Sequence, residues 1–362
     1  MGSGFDSLWA HHDNIMNPSQ TRSSSGSPAF TIVPLDLSSD EMILACREVS
    51  AACVRQLEPD YVPPSPERFL VSMRQEGTWT SRSVVALAAD VRTVIGWAMA
   101  SFSEDTQDPV FIDVSVAPPH RGQGVGTALE TAARALCPPE HPAKQFFAQS
   151  YLPGGVDAAT HPFTLWARRL GWRFNELDHT LRLTWPADRH HLLDLRPPIP
   201  PGYRIETYVD GVPEALQESL GVVVGEMDAQ APTGEVEFST AAVTPEQYRT
   251  ELAKVTAIGA HLVETIAIFA DRVVGFTRIQ IPAETERVMR VRGTGVLRQH
   301  RGKRLGLLLK AQIELELFDR GFVHHPAIET ETAINNPWML EIQRNLGFTE
   351  FSQLAGYVRE RP

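Results

Sequence analysis

The chain has 362 residues, of which 43% are apolar and 21% charged, and its formal net charge is -11. That length suits two globular domains of ordinary size, and the acidic balance argues against a nucleic-acid backbone or an anionic membrane as the main partner. No apolar run approaches the roughly 18–20 residues of a membrane helix, and the N-terminal stretch lacks the apolar core of a signal peptide. Cys46, Cys53 and Cys137 are odd in number and fit no zinc or redox spacing, so the expected location is cytoplasmic.

In chain order, residues 1–28 are rich in Ser, Gly and Asn and read as a flexible tail. Ser38-Ser39-Asp40-Glu41 reads as a capping box opening a helix over about 40–57. Ser65 followed by Pro66 opens a second helix over about 66–76, with the hydroxyl as cap and proline at the first helical position. Strands are expected at about 83–89, 93–102 and 110–117, with a hairpin turn between the first two. A helix over about 124–135 presents Val125, Leu129, Ala132 and Ala133 on one face. A strand at about 144–150, a helix at about 161–170 and a strand pair at about 172–184 follow. Clustered prolines (Pro186, Pro197, Pro198, Pro200, Pro201) cannot continue a helix or central strand, so 186–199 reads as a linker.

The same landmarks then recur. Ser65 and Thr244 open proline-led helices and lie 179 positions apart. Gly96 of Val94-Ile95-Gly96-Trp97 and Gly275 of Val273-Val274-Gly275-Phe276 are again 179 apart. Arg121 and Arg301, each within His-Arg-Gly, are 180 apart, while Gly171 of Leu170-Gly171-Trp172 and Gly347 of Leu346-Gly347-Phe348 are 176 apart. One order at nearly constant offset marks an internal duplication, with domains at 29–185 and 200–362. Strands flanked by helices give each copy an α/β (α+β) layer architecture.

In Val114-Ser115-Val116-Ala117-Pro118-Pro119-His120-Arg121-Gly122-Gln123-Gly124-Val125-Gly126-Thr127 an apolar strand runs through a glycine-rich loop into a helix. Glycines allow close backbone approach, and amides converge on an anion at the positive end of the helix. The spacing is neither that of a dinucleotide fingerprint nor that of a P-loop. The segment resembles motif A of the GNAT superfamily, the Gcn5-related N-acetyltransferases, whose pattern Arg-x-x-Gly-x-Gly is met by Arg121, Gly124 and Gly126. The Leu-Gly-aromatic segment in each copy is similar to the family's late segment.

The resemblance implies two tandem GNAT folds, each a mixed, mostly antiparallel sheet flanked by helices. It implies an acetyl-CoA or other short acyl-CoA cosubstrate, a small-molecule amine as acceptor, and a monomer or homodimer. The backbone of Val116 and Ala117 would pair with the pantetheine arm, and Gly122, Gln123, Gly124, Val125, Gly126 and Thr127 would hold the pyrophosphate. The strand carrying Val116 would splay from its neighbour to leave a V-shaped slot. In the second copy these roles fall to Val296, Leu297, Arg301, Gly302, Lys303, Arg304, Leu305 and Gly306. There Arg304 replaces the glycine and would either crowd the ligand or bind it, and Lys303 and Lys310 add positive charge. Asn336 stands where the family's late helix usually has Asn, with Thr160 at the matching count in the first copy.

The position of the family's tyrosine acid holds Ala167 and Gln343. The strand positions for a glutamate base fall on Val110 and Ile112, and on Arg290 and Arg292. No standard acid/base pair carries over. The substitutes are Glu329 and Glu331 with Asn336 in the second copy, and Asp113 and Tyr151 in the first. On this reading the second copy is the catalytic one and the first a firm CoA binder. Two alternatives stay open: a module that binds acyl-CoA without transfer, and an acetyltransferase of protein tails. The histidine pairs at 11–12, 190–191 and 324–325 lack metal-ligand spacing.

Overall fold

The computed structural model describes residues 30–75, 79–104, 106–230, 234–236, 238 and 242–362; the first 28 residues, read as a tail, lie outside them. The first half runs β1 (Phe30–Pro34), α1 (Asp40–Val54), α2 (Pro66–Arg74), β2 (Thr80–Ala88), β3 (Val94–Phe102), β4 (Val110–Val116), α3 (Val125–Arg134), β5 (Gln145–Pro153), α4 (Pro162–Arg169) and β6 (Arg173–Thr184). After α5 (Arg189–Leu195), the second half repeats this as β7 (Tyr203–Val209), α6 (Glu214–Gln230), α7 (Pro245–Ala257), β8 (His261–Phe269), β9 (Arg272–Ile281), β10 (Met289–Val296), α8 (Leu305–Asp319), β11 (Ala327–Ala333), α9 (Pro337–Asn345) and β12 (Thr349–Glu360).

The two compact units are not the contiguous halves 29–185 and 200–362. Of the described residues, the first unit takes 30–177, 234–236, 238 and 352–362, and the second takes 178–230 and 242–351. The expected strand pair at about 172–184 is instead the single strand β6, whose residues from Asp178 to Thr184 pair antiparallel with β11 of the second half. β12 pairs antiparallel with β5 of the first half, from Ser352↔Pro153 to Glu360↔Gln145. Each half therefore gives its last strand to the other's sheet. Within the units the strand orders are β1-β2-β3-β4-β5-β12 and β6-β11-β10-β9-β8-β7. The β4–β5 and β10–β11 pairs are parallel and their neighbours antiparallel, which is the mixed, mostly antiparallel α/β layering expected.

The segment read as a linker, 186–199, folds in part. Asp188 accepts from the amides of His190 and His191 and caps α5, whose Leu192 is fully buried. The prolines flank this turn of helix and do not interrupt it. At α1 the cap is Ser39, which accepts from Met42 N, while Ser38 turns to Asp36; Glu41 does not close the capping box expected there. Thr244 and Gln247 do form one at α7.

In the first unit α3 packs its Val125, Leu129 and Ala133 on Val110, Ile112, Val114 and Val116. α1 and α2 pack on the opposite face, against Trp97 and Met99 of β3. In the second unit α8 takes the face of Met289 and Val291, while Leu262 of β8 faces Val255 of α7.

Candidate active site

β4 follows β3 as far as the pair Gly96↔Val116. Among the described residues, its ladder with β5 holds only Val110↔Phe146 and Phe111↔Phe147. β10 and β11 likewise share only Met289↔Ile328 and Arg290↔Glu329. In each unit the two parallel strands therefore part after two residues and leave the V-shaped slot expected. A strand edge exposed in this way can take an extended chain as an added strand.

The slot ends in a corner braced by the loop arginine. Arg121 Nε donates to Val116 O at 3.0 Å and Arg301 Nε to Val296 O at 2.9 Å. Ala117 N donates to Ile95 O, and Leu297 N to Val274 O, both at 2.9 Å. The Val116 carbonyl and Ala117 amide thus serve the corner itself, and an added chain would use the strand edge beside them.

Beyond the corner the two loops have one backbone conformation. Gly122 and Gly302 have φ of 74° and 78°, and the helix-capping positions Gly124 and Arg304 have φ of 86° and 59°. A left-handed non-glycine residue costs about 1–2 kcal/mol, and the second loop keeps the shape with Arg304 in place. A Cβ built on Gly122, Gly124 or Gly302 would meet nothing within 4 Å, so the concave side of each loop is open. The first intrahelical bonds are Ala128 N to Gly124 O at 3.1 Å and Leu308 N to Arg304 O at 3.0 Å. The amides of Val125, Gly126 and Thr127, and of Leu305 and Gly306, precede them in the first turn, where helical N–H groups have no intrahelical acceptor. Gln123 Nε2 ties the loop back to Pro119 O at 3.1 Å, and Thr127 Oγ1 accepts from Trp166 Nε1 at 3.2 Å. This donor set and its open concavity fit a pyrophosphate. Lys303 and Arg304 are exposed beside the second loop. Lys310 is not: it is 2% exposed, and burial pulls the pKa of its ammonium down.

Asp113 lies on β4, two residues past the last β4–β5 pair. Because Val110, Ile112 and Val114 face α3, strand alternation turns Phe111, Asp113 and Ser115 to the face of α1 and α2. The expectation that Val110 and Ile112 occupy the base positions is therefore wrong by one residue. The reason is a bulge in β10 between Val291 and Gly293, which leaves Arg292 outside the ladder register. One extra residue there accounts for the offset of 179 before the bulge and 180 after it. With the bulge included, Phe111 corresponds to Arg290 and Asp113 to Gly293, and Arg292 is the inserted residue. Burial pushes the Asp113 carboxyl up to about 7. Among the described residues no cation or hydrogen-bond donor pairs with it.

The second-copy candidates are engaged elsewhere. Glu329 is 3% exposed and sits between two guanidinium groups, Arg182 Nε at 2.8 Å and Arg290 at 3.0 Å. Glu331 is exposed and adds its charge to that of burial in pushing Asp178 up to about 7. Asn336 caps α9 by accepting from Met339 N at 3.3 Å. The residue that does this for α4 is His161, accepting from Phe163 N, and not Thr160, which bonds to Asp157. Gln343 is buried and bound to Thr330 and Thr332. Tyr151 is buried on β5. The phenol packed against α4 is Tyr357 of β12, which shares a 2.7 Å hydrogen bond with Thr164. His191 and His325 each face a backbone carbonyl at 2.9 Å.

A V-shaped slot between parallel strands, ending in an anion cradle, defines an acyltransferase fold of the kind the sequence resembles. Residues 51–144 match the acetyltransferase (GNAT) family. A tandem GNAT protein from the clavulanic acid biosynthesis pathway is 22% identical, with 92% of this chain and 99% of that one covered at a TM-score of 0.73. A GCN5-related N-acetyltransferase from Sphaerobacter thermophilus is 19% identical, covering 93% and 98% at a TM-score of 0.61. A glucosamine N-acetyltransferase region of a fungal multi-domain β-N-acetylglucosaminidase is 13% identical, covering 92% of this chain and 38% of that one at 0.59. No curated protein sequence matches the chain. Residues 51–144 thus match the GNAT acetyltransferase family model, and the chain as a whole has the tandem GNAT fold. Among the described residues no helix is long and apolar enough to cross a membrane.

Proposed function

We propose that the protein transfers an acetyl group from acetyl-CoA to the amine of a small molecule, directly in a ternary complex, and that the chemistry takes place in the first unit. The observation that carries this reading is the unpartnered Asp113 carboxyl, on the strand that parts from β5 and ends in the complete Arg121–Gly126 cradle. The cradle would hold the pyrophosphate and the strand edge would align the pantetheine arm. The amine nitrogen bonds to the thioester carbonyl carbon, the carbon–sulfur bond breaks to release CoA as its thiolate, and Asp113 takes the amine proton, which then passes to the thiolate to give the CoA thiol. Alignment of the two reactants supplies most of the acceleration, and a base with a pKa near neutrality suits the proton transfer.

For the second unit a binding role without transfer is favoured, because Gly293, which has no side chain, stands in the place of Asp113, and the inserted Arg292 beside it cannot accept a proton. Both reconstructed cradles should still bind CoA. Calorimetry with CoA is expected to give two equivalents for the wild type. Gly122→Val and Gly302→Val, each putting a branched side chain into the open concavity at a left-handed φ, should each leave one. The function itself is tested by incubating the protein with acetyl-CoA and a panel of small amines. Thiol release that depends on one of the amines supports transfer; tight CoA binding with no release for any amine, in either unit, leaves a sensing module instead.

A further inference from the structure

Trp338, in the first turn of α9, is 77% exposed. The other described tryptophans, Trp79, Trp97, Trp166, Trp172 and Trp185, are buried or half-buried. A single exposed apolar residue is ordinary in itself; what singles out Trp338 is where it stands. β10 and β11 run parallel, and each leads into a helix at the same end of the sheet, β10 through the cradle loop into α8 and β11 into α9. The two helices meet one turn further in. A Cβ built on Gly306, in the first turn of α8, would stand 3.4 Å from Ile342 Cδ1 of α9.

Trp338 and Ile342 are four residues apart, so they share one flank of α9. At a rise of about 1.5 Å per residue, Trp338 lies roughly 6 Å beyond Ile342, towards the end at which the cradle loop opens. The indole therefore flanks the mouth of the second cradle, where Lys303 and Arg304 are exposed as well. The first unit has no such ring. There the contact between α3 and α4 is made by Trp166, whose Nε1 donates to Thr127 Oγ1, and the residue one turn before Trp166 is Pro162. Phe163, next to that proline, is buried.

We infer that Trp338 is the base platform of the second cradle: the purine ring of the CoA whose pyrophosphate the cradle holds stacks on the indole. The inference rests on the reading of the loops as CoA cradles and is independent of turnover at Asp113. In CoA the pyrophosphate joins the pantetheine arm to the nucleoside. With the arm along the β10 edge, the nucleoside must leave the cradle on its solvent side, which is the side of Trp338. Every nucleobase has a flat π-face that an aromatic ring can stack on. The exposed Lys303 and Arg304 supply charge for the phosphate on the ribose. The second unit thus has a contact that the first lacks, in keeping with a unit that holds its ligand without transfer.

The test is calorimetry on the full-length protein with CoA and with 4′-phosphopantetheine, which has the arm and one phosphate but no nucleoside. Trp338→Ala should weaken one of the two CoA equivalents by about tenfold or more, the loss expected for a ring that stacks a base, and leave the other unchanged. Its affinity for phosphopantetheine should equal that of the wild type. Trp338→Phe, which keeps a ring, should restore most of the CoA affinity. At 77% exposure the side chain carries little of the fold, so both variants should melt with the wild type. Two CoA equivalents that both survive Trp338→Ala unchanged would overturn the inference and leave CoA binding in place. An equal loss for phosphopantetheine would put the indole on the arm, with the same consequence. So would a variant that keeps both equivalents and changes the oligomeric state, since the ring would then belong to a contact with a second copy. A wild type with a single equivalent that Gly302→Val does not remove would take CoA out of the second unit, and this inference with it.

Discussion

Asp113→Asn should lower kcat for acyl transfer by about 10²–10⁴-fold, the usual range for loss of a general base, while CoA binding stays unchanged. Asparagine keeps the size and position of the carboxyl and cannot take the amine proton, so KM should move little. The pH profile separates this role from a structural one. Burial alone pushes Asp113 up to about 7, and the base form is the ionised one. The wild-type rate should therefore rise with pH up to about 7 and level off above, and the variant should lack that limb. Stability moves the other way. An unfolded aspartate titrates near about 3.9, so the folded chain holds the proton more tightly than the unfolded one. The stabilisation is full below about 4 and is lost as pH rises through about 7. Denaturation midpoints of the wild type should fall relative to Asp113→Asn across that window. A rate that survives the substitution with its pH limb intact would remove Asp113 from the mechanism.

The sequence carried the duplication, the two cradles and most elements, because these depend on local chemistry: a capping hydroxyl before proline, glycine at a left-handed turn, an apolar strand feeding a helix. β1 went unread because Phe30–Pro34 is five residues long and only partly buried. The bulge was visible as the step from 179 to 180 in the repeat offset. Nothing local says which residue leaves the ladder, however, and that choice decides which residue of β10 stands opposite Asp113 in the repeat. Glu329 looked available because its clamp comes from Arg182, 147 positions away in sequence. Asn336 was correctly placed at the head of a helix, where its side chain serves as the cap. The exchange of terminal strands had no signature in the apolar pattern, since either last strand could close either sheet.

The charges buried beside those strands do distinguish the two closures. In α3, Glu130 is 2% exposed and accepts from Arg134 Nε at 2.6 Å and from Trp172 Nε1 at 2.9 Å. Arg359 of β12 adds a second cation 3.6 Å away. The matching positions in α8, 180 further on, are Lys310 and Glu314, the same pair with its signs reversed. The aromatic partner changes in step: Trp172 offers its N–H to a carboxylate, while the ring of Phe348 lies 5.8 Å from the Lys310 ammonium. By register, Arg359 opposite Phe146 corresponds to Leu183 opposite Ile328. Closing the second sheet with its own β12 would thus put Arg359 beside Lys310 in an apolar core, whereas the exchange puts it beside Glu130. Glu130→Lys should destabilise the first unit by about 3–5 kcal/mol, the penalty for an uncompensated buried charge. At about 2–4 °C per kcal/mol for a unit of this size, its melting transition should drop by roughly 6–20 °C. Converting the whole set to that of the second unit, with Arg134→Glu, Trp172→Phe and Arg359→Leu added to Glu130→Lys, should restore more than half of the loss. A single Glu130→Lys that melts within about 1 kcal/mol of the wild type would show that this charge does not select the strand.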